Sequence, residues 1–204
     1  MSVPVIRDDK ELLRCGVCRA RIPSDKIPLQ KWAKELSQVT PLNMAVEDGE
    51  YAFYRNIMEE TDFPFDAILQ SDIGKAIARH FCPCEEIRLD DAFCIHYNME
   101  QDDTAGAKHT DPSDITVNMC LEKTADTLGS EVLFYGTHSL NGEDADPTIE
   151  KFLVEQEPGF ATIHWGAHPH ETMALRSGSR TNIVFTYCYR DSNQSQAHKR
   201  TCYS

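Results

Sequence analysis

His109-Thr110-Asp111 sets an imidazole and a carboxylate two residues apart. In an extended segment that spacing puts both side chains on one side of the strand. This is half of a metal site. Further along, GFATIHWGAHPHETMALRSGSR carries His164, His168 and His170 at one parity, and each could supply a second imidazole. Two histidines and one carboxylate on one face of an iron(II) ion leave its remaining positions open, as a bidentate 2-oxo acid and then O2 require. An oxo acid held this way also needs a cation for its far carboxylate. The planar fork of Arg180 suits that role. The competing reading of His109 and Asp111 is a loop pair that caps a turn, since the flanking Asp-Pro and Ser-Asp are ordinary turn chemistry.

A second constellation is Cys15-Gly-Val-Cys18 with Cys82-Pro-Cys84. A CxxC pair and a CxC pair together offer four thiolates to a tetrahedral structural zinc, which would tie the N-terminal segment to the end of a helix. The alternative is four reduced thiols. A redox role for the CxxC pair lacks the thioredoxin-like βαβ surroundings it would need. Cys94, Cys120 and Cys188 fall in strand-like runs and read as small buried hydrophobes. His96 and His138 show no partner pattern.

The elements that must position these residues divide along the chain. From Pro28, Leu29, Trp32, Leu36 and Val39 recur at helical spacing until Pro41 stops them. A second helix is expected over 65–81, with Leu69, Ile73, Ala76, Ile77 and His80 on one face, and a third over 44–60. After Cys84 the pattern turns to period two or to short apolar runs: AFCIHYN, DITVNMCL, EVLFYGT, KFLVEQ, FATIHW, ETMALR and TNIVFTYCYR. Turn-rich breaks separate them, as in a β-sandwich or barrel. Helices first and strands second point away from a βαβ parallel sheet. The expected fold class is therefore mainly β with N-terminal helices (α+β). The expected organisation is one domain: helical support over 1–84, a catalytic β core over 85–190 and a fraying polar tail over 191–204.

At 204 residues, 41% apolar and 26% charged, the chain reads as one soluble globular domain. The N-terminus has no basic start followed by an apolar run, and no stretch approaches a membrane span. A cytoplasmic, or at least intracellular, address is expected, and the eight cysteines are then read as reduced or metal-bound. A net charge of −13 without a dense Lys/Arg stripe argues against a grip on nucleic acid. It leaves a basic protein or peptide as a partner, with a small molecule as the other option.

From Phe93 to Arg190 the chain resembles the prolyl 4-hydroxylase-like branch of the 2-oxoglutarate and iron(II)-dependent dioxygenases. HTD matches the family's His-x-Asp. DITVNMCL resembles the strand that follows it. GSEVLFYG resembles a Gly-Gly-x-x-x-Phe stretch with Ser130 in place of the second glycine. HWGAHPHETMALRSGSRTNIVF matches a distal histidine followed, ten residues on, by the oxoglutarate-binding arginine after a Ser-Gly-x-Arg turn. Only His170 stands ten before Arg180, so the resemblance selects it over His164 and His168. Ala174 departs from the family's usual proline.

The resemblance implies a double-stranded β-helix (jelly roll) with helices packed on one face. It implies iron(II) on His109, Asp111 and His170, with 2-oxoglutarate and O2 as cosubstrates, and Arg180 on the oxoglutarate carboxylate. Arg180, Asn182, Val184 and Thr186 share a face of the last strand, and the resemblance turns that face into the barrel. Asn182, Thr186 and Tyr97 then become further oxoglutarate contacts. The implied activity is hydroxylation of a C–H bond, first of all on a peptidyl side chain such as proline, an inference by analogy. Two other readings stand beside it: a non-catalytic metal-binding β-helix interaction module, and a cupin-type metalloenzyme that needs no oxoglutarate.

Overall fold

The computed structural model describes residues 3–37, 53–58, 62–100 and 104–197. Its first helix, α1 (Asp9–Cys15), starts on Asp8, whose carboxylate accepts from the N–H groups of Lys10 and Glu11. It ends at Gly16, held at φ 88°. A side chain there would strike the His138 carbonyl, so the turn into β1 (Val17–Arg21) requires glycine. The first expected helix is present as α2 (Leu29–Ser37), burying Trp32, Ala33 and Leu36. Val39 and Pro41 lie outside the described residues.

Two expectations for the N-terminal part need correction. The helix over 65–81 is two helices, α3 (Asp66–Leu69) and α4 (Asp72–His80). Ser71 divides them: its backbone is extended and its hydroxyl accepts from the Ile73 N–H, an N-cap inside an apolar run. Within the span 44–60, the described part holds a strand, β2 (Phe53–Asn56), which pairs with the chain from Phe93 to His96. Long-range pairing overrides local propensity there. Residues 44–52 fall outside the described residues. The support expected over 1–84 is thus not purely helical, since β1 and β2 form the two edges of the main sheet.

The remaining strands are β3 (Ile87–Asn98), β4 (Gly106–His109), β5 (Ile115–Lys123), β6 (Leu128–Gly129), β7 (Val132–Tyr135), β8 (Lys151–Val154), β9 (Phe160–Trp165), β10 (His170–Thr172), β11 (Leu175–Ser177) and β12 (Ser179–Tyr189). They form an antiparallel six-stranded sheet, β1-β9-β5-β12-β3-β2, a four-stranded sheet, β4-β10-β7-β8, and a small β11-β6 pair. ETMALR is therefore two short strands in different sheets. The whole is a mainly β jelly roll, a double-stranded β-helix.

Alternation along the large sheet decides where the cores sit. Ile115, Val117 and Met119 on β5, Ala161 and Ile163 on β9, and Ile183, Phe185 and Tyr187 on β12 join Trp32, Phe63, Ile73 and Ile77 in the larger core, beneath the helices. Val17, Val132, Phe134, Phe152 and Val154 form a smaller core. Position by position between the outward residues, the inner face of the large sheet carries Thr116, Asn118, Thr162, His164, Arg180 and Asn182, all inaccessible or nearly so apart from Asn118, which is half-buried. Burying that many polar groups is costly unless each is hydrogen-bonded or reserved for a ligand.

The tail is tied down further than expected. The N–H groups of Gln196 and Ala197 donate to the Asp114 carboxylate, and Ser195 and Ala197 are buried. Among the described residues no helix is long and apolar enough to cross a membrane.

Candidate metal and oxo-acid site

His109 closes the edge strand β4, and His170 opens β10 directly opposite it in the register. Asp111 follows β4, its N–H bound to the Gly166 carbonyl. One ligand atom from each of the three lies within 4.8 Å of the others. Asp111 Oδ1 stands 3.3 Å from His109 Nε2 and 3.9 Å from His170 Nε2.

Both imidazoles are prepared as ligands. His109 Nδ1 donates to the Ala107 carbonyl at 2.7 Å and His170 Nδ1 to the His168 carbonyl at 2.9 Å. A carbonyl only accepts, so each ring donates from Nδ1 and turns Nε2 toward the Asp111 carboxylate, the atom a metal would engage in place of that contact. Thr116 donates to Asp111 Oδ2 and leaves Oδ1 toward the histidines. Burial pushes the Asp111 carboxyl up, but the His109 hydrogen bond, the neighbouring His170 and His164 rings and the Thr116 hydroxyl outweigh it, and the group is held well below the usual carboxylate range. The Asp111 hydrogen bond raises His109, whereas burial lowers His170. This donor set fits iron(II): two nitrogen ligands and one oxygen ligand, with no further His, Cys, Asp or Glu joining the group among the described residues.

A cleft of about 100 Å³ adjoins the three residues, with Asn118, Gln156, Thr162 and His164 as its polar wall and Phe134 and Val184 among its apolar wall. Arg180 lies fully buried; its guanidinium donates to the Ser130 carbonyl at 2.7 Å and stands 5.2 Å from the Tyr97 ring centre. Its Nε and the Ser130 hydroxyl have no hydrogen-bond partner among the described residues. A buried cation with unmet donors and no carboxylate bound to it suits an anionic ligand. Ser130 is also the one non-glycine among the described residues at positive φ, 69°. That explains why a glycine is expected there: the carbonyl facing Arg180 is presented by left-handed backbone.

The other anticipated residues divide. Tyr97 is beside Arg180, with its hydroxyl on the Ala105 carbonyl. Asn182 is fully buried, donates to Asn118 and Gln156, and leaves its Oδ1 unpaired. Thr186 is not brought to this cluster: its hydroxyl accepts from the Asp91 N–H, where the β12–β3 register shifts. The cysteines anticipated as zinc ligands do not converge. Cys15 packs in the smaller core and Cys18 and Cys82 in the larger, and no three of Cys15, Cys18, Cys82 and Cys84 come within ligand range. Burial pushes the Cys15, Cys18 and Cys82 thiols up to about 11, so they are protonated small hydrophobes.

Sequence reasoning missed Thr116, Asn118 and Gln156. The first two share parity on β5 and were findable from that alternation; Gln156 follows β8 with no local signal. His164 and His168 are both inaccessible, not surface residues. His168 Nε2 donates to the Gly136 carbonyl, so this residue braces the backbone that orients His170.

No protein-family model matches the chain. The 2-oxoglutarate and iron-dependent oxygenase domain-containing protein ICU11 of Arabidopsis thaliana is 29% identical over 131 residues, covering 60% of this chain and 32% of that protein. The chain thus spans less than a third of the length of this curated relative where the two match. An oxidoreductase of the 2OG-Fe(II) oxygenase family from Burkholderia pseudomallei superposes with TM-score 0.64 at 13% identity, over 92% of this chain and 95% of that one. The non-heme alpha-ketoglutarate-dependent epimerase SnoN from nogalamycin biosynthesis gives 0.54 at 15%, over 89% and 79%. The chain has the fold of these oxygenases.

Proposed function

We propose that this chain is a 2-oxoglutarate-dependent iron(II) oxygenase that hydroxylates a C–H bond. The observation that carries the reading is the convergence of His109, Asp111 and His170, with both imidazoles presenting Nε2 to one point. Bound there, iron with oxoglutarate and O2 supplies the oxidant, and oxoglutarate leaves as succinate and CO2. The chain's own part is positional. Ala107 and His168 fix the ring tautomers, Thr116 turns the carboxylate, and Arg180 with Tyr97 receives the far carboxylate of the oxo acid. Phe134, Val132 and Val184 keep part of the cleft wall apolar. The catalytic unit is taken as 85–190, with 1–84 as its support.

The substrate class proposed first is a peptidyl side chain, with proline the leading candidate from the branch resemblance, and the net charge of −13 suits a basic peptide. The rival is a small molecule, in keeping with SnoN's place in nogalamycin biosynthesis. Iron-loaded protein given oxoglutarate and a panel of peptides and small molecules tests both. The reading expects succinate release coupled to the gain of one oxygen atom by a member of the panel. Absence of oxoglutarate turnover from iron-loaded, folded protein would reject it.

A further inference from the structure

His164 has no part in the reading above, yet it is inaccessible to solvent, lines the cleft and stands beside the metal ligands. Its ring meets that of His170 edge to face at 4.7 Å between centres and that of Phe134 at 5.1 Å. In the register it lies opposite Thr116, whose hydroxyl is committed to Asp111. Its Nδ1 donates to the Trp165 carbonyl at 3.0 Å. The proton is therefore on Nδ1, and Nε2 is a bare lone pair with no donor reaching it among the described residues. A buried group that can only accept, in ring contact with a metal ligand and on the wall of the cleft, discriminates. It welcomes an O–H donor and repels a carboxylate oxygen, which has nothing to donate.

We propose that His164 is a specificity-determining residue: it accepts a hydrogen bond from a water held beside the metal set and turns carboxylate oxygens away from that position. The inference rests on the metal reading of His109, Asp111 and His170 and adds a role to a residue outside that set.

Cobalt(II) serves as the probe metal, because its visible absorption reports changes in its ligands without turnover. Cobalt-loaded wild type and His164→Gln are titrated with acetate in the absence of oxoglutarate. The glutamine amide supplies an N–H where the imidazole supplies a lone pair. Acetate is expected to bind the variant about tenfold or more tightly than wild type, the size of one hydrogen bond to a charged acceptor. Cobalt affinity should stay within a few-fold. Equal acetate affinity in the two proteins overturns the proposal. Should His164→Gln not fold, nitrogen NMR of the zinc-loaded wild type decides: Nδ1 protonated and Nε2 bare supports the role, and a protonated Nε2 overturns it. Cobalt that fails to bind wild type, or that remains bound in Asp111→Ala, defeats the metal reading. Cobalt held by the triad without discrimination against acetate defeats only the role of His164.

Discussion

Replacing Arg180 with methionine should move stability and cosubstrate affinity in opposite directions. The guanidinium is fully buried, and among the described residues its single hydrogen bond goes to the Ser130 carbonyl and Nε has no partner. Without an anion it is an uncompensated buried charge, and burial lowers its affinity for its own proton. Methionine fills a similar volume at no charge cost, so the variant should fold with stability within about 1 kcal/mol of wild type or above it. Oxoglutarate binding should lose about 2–5 kcal/mol, tens to thousands of fold, because one side of a buried charge pair is gone. Arg180→Lys keeps the charge without the fork and should fall between.

The assay is thermal or urea unfolding of zinc-loaded protein with and without oxoglutarate, beside KM for oxoglutarate in the iron enzyme. Wild type should gain about 2.7 kcal/mol at a hundredfold excess over Kd, and Arg180→Met almost nothing. Metal content should match wild type. A variant several kcal/mol less stable would mean that the guanidinium braces the fold. An unchanged KM would remove the cosubstrate from Arg180 and favour an oxoglutarate-independent metalloenzyme.

Four shorter tests follow from other parts of the molecule. His109→Ala, Asp111→Ala and His170→Ala should each abolish oxoglutarate turnover and lower bound metal while circular dichroism stays native; an active His170→Ala beside a dead, folded His168→Ala would show that the wrong distal ligand was chosen. Ser130→Gly should raise stability by up to about 1 kcal/mol in urea unfolding, because it relieves a left-handed residue, and Ser130→Val should lower it. Elemental analysis of protein purified without added metal should find no zinc that depends on Cys15 and Cys18, since their side chains join different cores. In metal-free protein, burial holds His164 near 4, against about 6.5 in the unfolded chain. Between those values the unfolded state takes up the proton and the folded state does not, so stability is full above the unfolded value and falls below it. At pH 5 the loss from this residue should be about 2 kcal/mol, read from urea unfolding at pH 5 and 7.5 and reduced in His164→Gln.

The parts of this arrangement legible in the sequence are those written in period two. ITVNMCL alternates Ile115, Val117 and Met119 with Thr116, Asn118 and Cys120, and the structure assigns the first set to the helix-covered core and the second to the cleft side. The His-x-Asp spacing and the face shared by Arg180 and Asn182 were readable for the same reason. What escaped depends on distant partners. β4 is Gly-Ala-Lys-His, poor in strand formers, and exists because β10 pairs with it. Ser71 could be read as a cap only if Leu69 and Ile73 were not first joined into one helical stripe. The cysteine pairs looked like knuckles because spacing carries no information about which core each side chain enters.

Stability and chemistry occupy opposite faces of one sheet, and this explains how so many polar groups are tolerated inside it. The outer face is sealed by α2 and α4 through Trp32, Ile73 and Ile77, and by Phe63 ahead of α3. Each buried aliphatic or aromatic side chain there contributes about 1.5–3 kcal/mol relative to exposure. The inner face is then free to hold groups that folding alone would disfavour: a guanidinium and an amide oxygen with unmet hydrogen-bonding atoms among the described residues, and the His164 imidazole, pushed toward neutrality by burial. It follows that substitutions on the two faces should separate in their effects. Ile183→Ala and Phe185→Ala, both inaccessible, should cost about 2–5 kcal/mol of stability, with metal affinity kept in the fraction that folds. Asn182→Ala, which precedes Ile183 and faces the other way, should leave stability nearly unchanged while altering the polar wall that Asn118 and Gln156 present. Were Asn182→Ala as destabilising as Phe185→Ala, the inner polar groups would be structural, and the division of labour between the two faces would be wrong.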